Sequence, residues 1–172
     1  MLLKSDLLYL RALEISDLEF LYQLENNPEV WQVSNTVAPF SKEVLQLYLE
    51  HASADIYTVK QLRLMICSLD HQRVGVIDLY DFDPLHLRAG IGIVIQENFR
   101  KQQFASSALN IFLNYCQHIL LLHQVYCTIA NSNYASLKLF QNAGFVLVGL
   151  RKHWIRTSAG WEDVQELQKI FA

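Results

Sequence analysis

Three cysteines occur in 172 residues, Cys67, Cys116 and Cys127, an odd number with no CxxC pair. That excludes a disulfide framework and a thiolate metal cluster, and their apolar surroundings make them reduced core residues. The six histidines (51, 71, 86, 118, 123, 153) show no ligand spacing such as HExxH, so no metal is expected. No apolar run approaches the ~20 residues of a membrane helix. Ile119–Leu122 is one such short run, and the opening MLLKSDLLYLRAL is too short and too charged for a signal peptide. The chain is therefore expected in the cytoplasm, without a membrane partner. Net charge is −3 and the pI about 6.0, with no surplus of basic residues for a nucleic-acid face. That balance leaves room for a local basic pocket and suits a cationic substrate. With only six glycines and three prolines, there is no linker, repeat or low-complexity tract. Hydrophobic residues make up 52% and charged residues 18%, which excludes disorder and gives one globular domain over 1–172.

The most informative stretch is 91–116. Ile91, Ile93, Val94 and Ile95 are β-branched and read as a buried strand. From Ala105 the apolar positions Ala105, Ala108, Leu109, Phe112 and Leu113 follow the period of a helix. Between them lie Arg100, Lys101, Gln102, Gln103 and Phe104. A helix start offers about half a positive charge and unpaired N–H donors, and together with two cations it suits phosphate. The same residues also fit an ordinary solvated turn.

The rest of the chain reads as follows. Residues 6–13 form a strand with Leu8 and Leu10 on one face. Ser16 and Glu19 form a capping box for a helix that stops at Asn26-Asn27-Pro28. Residues 29–40, with Trp31, Asn35 and Phe40, are irregular, and Ser41 caps a helix to about 52. Strands 62–69 and 73–80 form a hairpin, 81–88 is a polar loop around Pro84, and 89–96 is the fourth strand. After the helix to about 118 come strand 125–130, helix 133–143 with Gly144 as a left-handed cap, and a closing pair, 145–156 and 162–171. The expected fold is a mixed α/β, mostly antiparallel sheet of about seven strands flanked by about four helices.

This order resembles the GNAT family of acyl-CoA N-acyltransferases, and two motifs carry the resemblance. Arg100–Ala105 is similar to the family's Gln/Arg-x-x-Gly-x-Gly/Ala turn at its first and last positions. NSNYASLKLFQNAGF (131–145) is similar to its Asn-x-x-Ser…Gly-Phe segment through Asn133, Ser136, Leu139, Gly144 and Phe145. The opening 10–30 and the ending 149–168 resemble spermidine and ribosomal-protein N-acetyltransferases. The resemblance implies splayed fourth and fifth strands and acetyl-CoA as co-substrate. Its pyrophosphate would lie on Arg100, Lys101, Gln102, Gln103, Phe104, Ala105 and Ser106. Its pantetheine arm would run along Ile93, Val94 and Ile95. Asn133 either bonds that arm or caps its own helix, Ser136 caps the helix or contacts the cofactor, and Phe140 lies beside it. The acceptor would be a small-molecule amine, a polyamine or a peptide N-terminus, attacked directly in a ternary complex, and a homodimer is expected through sheet edges.

Three residues depart from the family pattern. Gln103 stands where a glycine is usual, and a positive φ there would strain it by roughly 1–2 kcal/mol. Phe140 stands where many members carry a tyrosine that protonates the thiolate. Gly90 falls where polyamine-acetylating relatives carry a glutamate. The acceptor amine must still lose a proton, since its pKa is near 10.4 if it is lysine-like. Asp81, His86 and Glu29 are the candidates for contacting it or taking that proton, with Asp78 and Asp83 nearby in sequence. An acetyltransferase, a CoA-binding module with little turnover and a partner-binding protein all remain open on these residues.

Overall fold

The computed structural model describes residues 3–34 and 36–172. Its frame is a seven-stranded sheet in the order β1-β2-β3-β4-β5-β7-β6. The strands are β1 (Leu8–Ala12), β2 (Leu62–Ser68), β3 (Arg73–Asp83), β4 (Arg88–Ile95), β5 (Gln124–Ala130), β6 (Val146–Thr157) and β7 (Gly160–Ile170). All neighbours are antiparallel except β4 and β5. That parallel pair joins only at Arg88↔Gln124, Ala89↔Val125 and Gly90↔Tyr126. Beyond it β4 continues to Ile95 beside β3, while β5 continues to Ala130 beside β7. The two strands diverge, and the β4 edge from Ile91 onward faces an opening instead of a neighbour.

Among the described residues six helices accompany the sheet, α1 (Leu18–Glu25), α2 (Pro28–Ser34), α3 (Lys42–Glu50), α4 (Ile56–Val59), α5 (Phe104–His118) and α6 (Tyr134–Asn142), two more than expected. The additional ones are short. Residues 29–40 are not wholly irregular, because Pro28 opens α2 and Asn27 Oδ1 accepts from the Glu29 N–H at 2.9 Å. Proline at a first helical position lacks only an N–H that would be orphaned anyway. Asn35 lies outside the described residues.

The approach to α1 also differs from the expected Ser16–Glu19 box. A 3-10 turn, Ile15–Asp17, is closed by Glu14 and Asp17. Asp17 is fully buried and accepts from Arg11 twice at 2.8 Å, from Arg73 Nε at 2.6 Å and from the Glu14 N–H at 2.9 Å. Ser41 caps α3 as expected, its Oγ accepting from the Val44 N–H at 3.2 Å, and Gly144 ends α6 at φ +88°. The hairpin β2–β3 is longer than expected. β3 runs through Asp83, with an irregularity after Tyr80 where Asp81 takes φ +50°.

Each sheet face buries its own apolar cluster. One face packs Ile77, Leu79, Ala89, Ile91, Val125 and Cys127 under α5 and α6, with Phe112 and Leu109 fully buried. The other packs Met65, Cys67 and Val76 under Phe20, Leu21 and Leu24 of α1 and Leu45 and Leu49 of α3. Among the described residues no helix is long and apolar enough to cross a membrane.

Candidate active site

The opening between β4 and β5 leads directly to the start of α5. Residues 96–103 turn the chain from β4 into that helix, and two non-glycine residues in the turn adopt left-handed backbone, Lys101 at φ +60° and Gln103 at φ +65°. Gln103 is therefore in the conformation expected of a glycine, and Lys101 shares it. Left-handed residues in such a turn are the kind of backbone from which anion-binding concavities of peptide N–H groups are built. Gln103, the capping residue of α5, makes no side-chain cap hydrogen bond. The first intrahelical bond is Ser107 N–H to Gln103 O at 3.0 Å, so the N–H groups of Phe104, Ala105 and Ser106 have no acceptor within the helix. Ser106 donates its hydroxyl back to Gln103 O at 3.0 Å. Gln102 donates to Asn98 O at 2.8 Å. Arg100 donates to Ile95 O at 3.2 Å and to Glu29 Oε2 at 3.1 Å, both across an exposed surface. Two residues assigned to different roles from the sequence, Arg100 to phosphate and Glu29 to the amine, thus meet at the open mouth of the strands.

On the other side of the opening, α6 begins at Asn133, whose Oδ1 accepts from the Ser136 N–H at 3.2 Å. Asn133 is the helix cap, and Ser136 is the residue it holds. Phe140 is 3% exposed and stands edge-on to Phe145 at 5.0 Å, in the apolar layer under α5 and α6.

The opposite face, beneath α1 and α3, is polar near the divergence. Arg63 lies between Asp78 (Nε to Oδ1 2.5 Å, Nη2 to Oδ2 3.1 Å) and Glu25. Burial would lower the guanidinium pKa, but Asp78 and Glu25 outweigh it and hold the group charged. Beside this triad Tyr80 and Tyr126 meet edge to face at 6.0 Å, and Tyr126 donates to Asp81 at 3.2 Å. Burial, then the Asp81 carboxylate, pushes Tyr126 up to about 12, and burial pushes Tyr80 higher still. His86 is exposed in the β3–β4 turn, its N–H donating to Asp83, at the closed end of the β4–β5 pair. The structure does not gather Glu29, Asp81 and His86 into one group. Glu29 stands at the mouth, Asp81 at the apex and His86 behind it.

Sequence reading missed two parts of this arrangement. Arg63 and Glu25 are 38 residues apart, and only the sheet brings them together. Tyr126 was read as one more strand residue. Its partner Asp81, 45 residues away, is aimed by a backbone irregularity that no local pattern signals.

A splayed parallel pair with an unsealed helix start at its mouth defines a class. The acetyltransferase (GNAT) domain family matches residues 8–146, and the chain belongs to that family. It is an N-acetyltransferase that uses acetyl-CoA as co-substrate and an amine as acceptor. Among its relatives, the spermidine N(1)-acetyltransferase of Vibrio cholerae is 27% identical over 162 residues, covering 93% of this chain and 91% of that one. The spermidine N(1)-acetyltransferase of Escherichia coli K12 is 25% identical over 146 residues, covering 84% and 75%. The crystal structure of the Vibrio cholerae spermidine N-acetyltransferase with CoA and spermine superposes at TM-score 0.85, with 26% identity and 95% of each chain covered. A dodecameric structure of the Vibrio cholerae enzyme superposes at 0.79, with 26% identity, covering 95% and 93%.

Proposed function

We propose that this enzyme acetylates a small aliphatic polyamine, with acetyl-CoA seated in the β4–β5 opening. The observation that carries the cofactor's place is the unsealed start of α5 directly beyond the unpaired edge of β4. Backbone N–H groups from Lys101 to Ser106 bind the pyrophosphate, and Arg100 and Lys101 add charge. The pantetheine arm takes the place of a neighbouring strand along Ile93, Val94 and Ile95. That places the thioester at the apex, where backbone donors of β4 stabilise the charge developing on its oxygen. Asn133 and Ser136 border the arm from α6, and Phe140 supplies apolar packing behind it.

The acceptor enters from the α1–α3 face. Polyamine recognition is supported by the relatives and by carboxylates on that side: Glu29 at the mouth, Asp81 at the apex, and Glu25 with Asp78, whose two negative charges exceed the single positive charge of Arg63. Phosphate and Glu29 share Arg100. A bound cofactor that takes over the guanidinium leaves Glu29 free for a cationic amine. The long outer edge of β6, with Val146, Val148, Leu150 and Trp154 exposed, suits pairing of two copies. The free buried thiols fit a reducing, cytoplasmic setting.

Calorimetric titration with acetyl-CoA, with Arg100→Ala alongside, tests the cofactor's place. Micromolar binding that weakens at least tenfold in the variant is expected, about 1.4 kcal/mol. Equal affinities would remove the cofactor from this turn. A thiol-release assay over a panel of diamines, polyamines and peptide N-termini tests the acceptor. Turnover confined to peptides would overturn the polyamine reading.

A further inference from the structure

The ring of Tyr80 lies across β4. A Cβ built on Gly90 would fall 2.1 Å from its Cε2 and 2.4 Å from its Cζ, so the ring occupies the space that any side chain at 90 would need. It extends toward Gly92, whose Cβ would lie 3.9 Å from Cε1, and its hydroxyl faces the Thr128 side chain on β5. Gly90↔Tyr126 is the last pair that joins the two strands. Gly92 and Thr128 are the next residues on that face, one on each side of the gap. Two glycines thus form a path by which a phenol from β3 reaches over β4 to the apex of the opening. Phe140 approaches from the other sheet face and has no proton to offer.

We propose that Tyr80 carries the proton of acetyl transfer, its hydroxyl donating to the departing sulfur. This rests on the placement of the acetyl-CoA arm given above. The amine nitrogen uses its lone pair to form the N–C bond at the thioester carbonyl. The C–S bond then breaks, and the sulfur leaves with the electron pair. The Tyr80 hydroxyl proton passes to that sulfur and gives the free thiol, and the phenol oxygen takes a proton from the nitrogen that attacked. From the neutral amine, amide and thiol form with no proton gained or lost, and the extra proton that an ammonium acceptor carries at neutral pH leaves to solvent before the attack. Burial disfavours a free phenolate, so donation and recovery run as one relay. Tyr126, bonded to Asp81, supports the ring edge-on as a positioning residue.

Tyr80→Phe keeps the ring and removes the hydroxyl. Expected are a kcat about 100-fold lower, an unchanged acetyl-CoA affinity by calorimetry, and an unchanged thermal midpoint. Small buffer acids should partly restore the variant's rate and leave the parent enzyme's unaffected, a response that lost packing would not give. Gly90→Ala, which displaces the ring, should show a similar kcat loss with acetyl-CoA still bound. An unchanged kcat in Tyr80→Phe with acetyl-CoA binding intact would overturn the proposal. So would a loss confined to the KM for amine, which would make Tyr80 an acceptor contact only. If Arg100→Ala leaves acetyl-CoA binding untouched, the cofactor placement fails first and this proposal fails with it.

Discussion

The helices α5 and α6 both begin just past the end of a central strand, and they begin in opposite states. At α6 the Asn133 side chain accepts the Ser136 N–H, as Asn27, Ser41 and Asp55 do at α2, α3 and α4. At α5 the capping position is Gln103 in left-handed backbone, with no side chain folded over the free N–H groups. Four of the helix starts are thus closed by a side chain, and α1 follows directly on the 3-10 turn that ends at Asp17. At α5 the start is left open beside a strand edge that is also unpaired, and two sets of unsatisfied backbone groups converge where acetyl-CoA is proposed to sit.

Closing α5 should have the largest effect. Ser106→Asp sets a carboxylate among the free N–H groups, and a like charge about 4 Å from phosphate in a half-screened setting opposes binding by about 2–3 kcal/mol. Acetyl-CoA affinity should fall roughly a hundredfold by calorimetry. The thermal midpoint should hold or rise slightly, since an acid favours a helix start. Unchanged affinity would show that the open start is not where the phosphate sits.

The next effect concerns a sealed region. Burial alone would raise the Asp17 carboxyl, but the Arg11 and Arg73 guanidiniums and the Glu14 N–H outweigh it and bring it down to about 2. The folded pKa lies below the unfolded one of about 3.9. The stabilisation, about 2 kcal/mol, is therefore fully present above pH ~4 and lost as pH falls toward 2. Asp17→Asn should flatten the acid arm of a stability-against-pH curve measured by urea unfolding. An unaltered acid arm would mean that Asp17 is not the group that sets it.

A smaller change tests whether Asn133 has a second role. Asn133→Ala should cost about 1 kcal/mol of stability as a lost cap. If its amide also bonds the pantetheine arm, acetyl-CoA affinity should fall severalfold as well, and an affinity equal to the parent's would leave Asn133 a cap alone. The smallest effect is expected at Gln103. Its φ is already positive in the free chain, so the strain falls on folding and not on cofactor binding. Gln103→Gly should raise stability by about 0.5–1 kcal/mol, read as a small rise in thermal midpoint with little change in affinity.

The sequence revealed most of this where chemistry is local. Ser41 and Gly144 sit where cap geometry places them, and the cation-bearing turn at 100–105 stood out because a β-branched run gives way to helical periodicity there. Readings were poorer where one residue carries two meanings. Asn27-Pro28 ends α1 and also begins α2, and only the first role was legible. Pro84 drew the end of β3 back to Tyr80, although the strand continues through an irregular Asp81 to Asp83. Long-range pairs left no local trace. The partners of Asp17 include Arg73, 56 residues away, and Arg100 meets Glu29 across 71. The departure at Gly90 was legible only as a missing carboxylate. That the vacant space holds a phenol from the next strand is a fact of register, Tyr80↔Gly90, which the sheet alone supplies.

The three cysteines have a practical consequence for enzymology. Cys67, Cys116 and Cys127 are at most 2% exposed, and burial pushes the Cys116 and Cys127 thiols up to about 12. The reactive form of a thiol is the thiolate. The folded enzyme is therefore silent toward a colorimetric disulfide reagent, and colour in such an assay reports only the CoA set free. Colour that grows in the absence of both amine and acetyl-CoA would record molecules opening, so one reagent reads both turnover and the integrity of the catalyst.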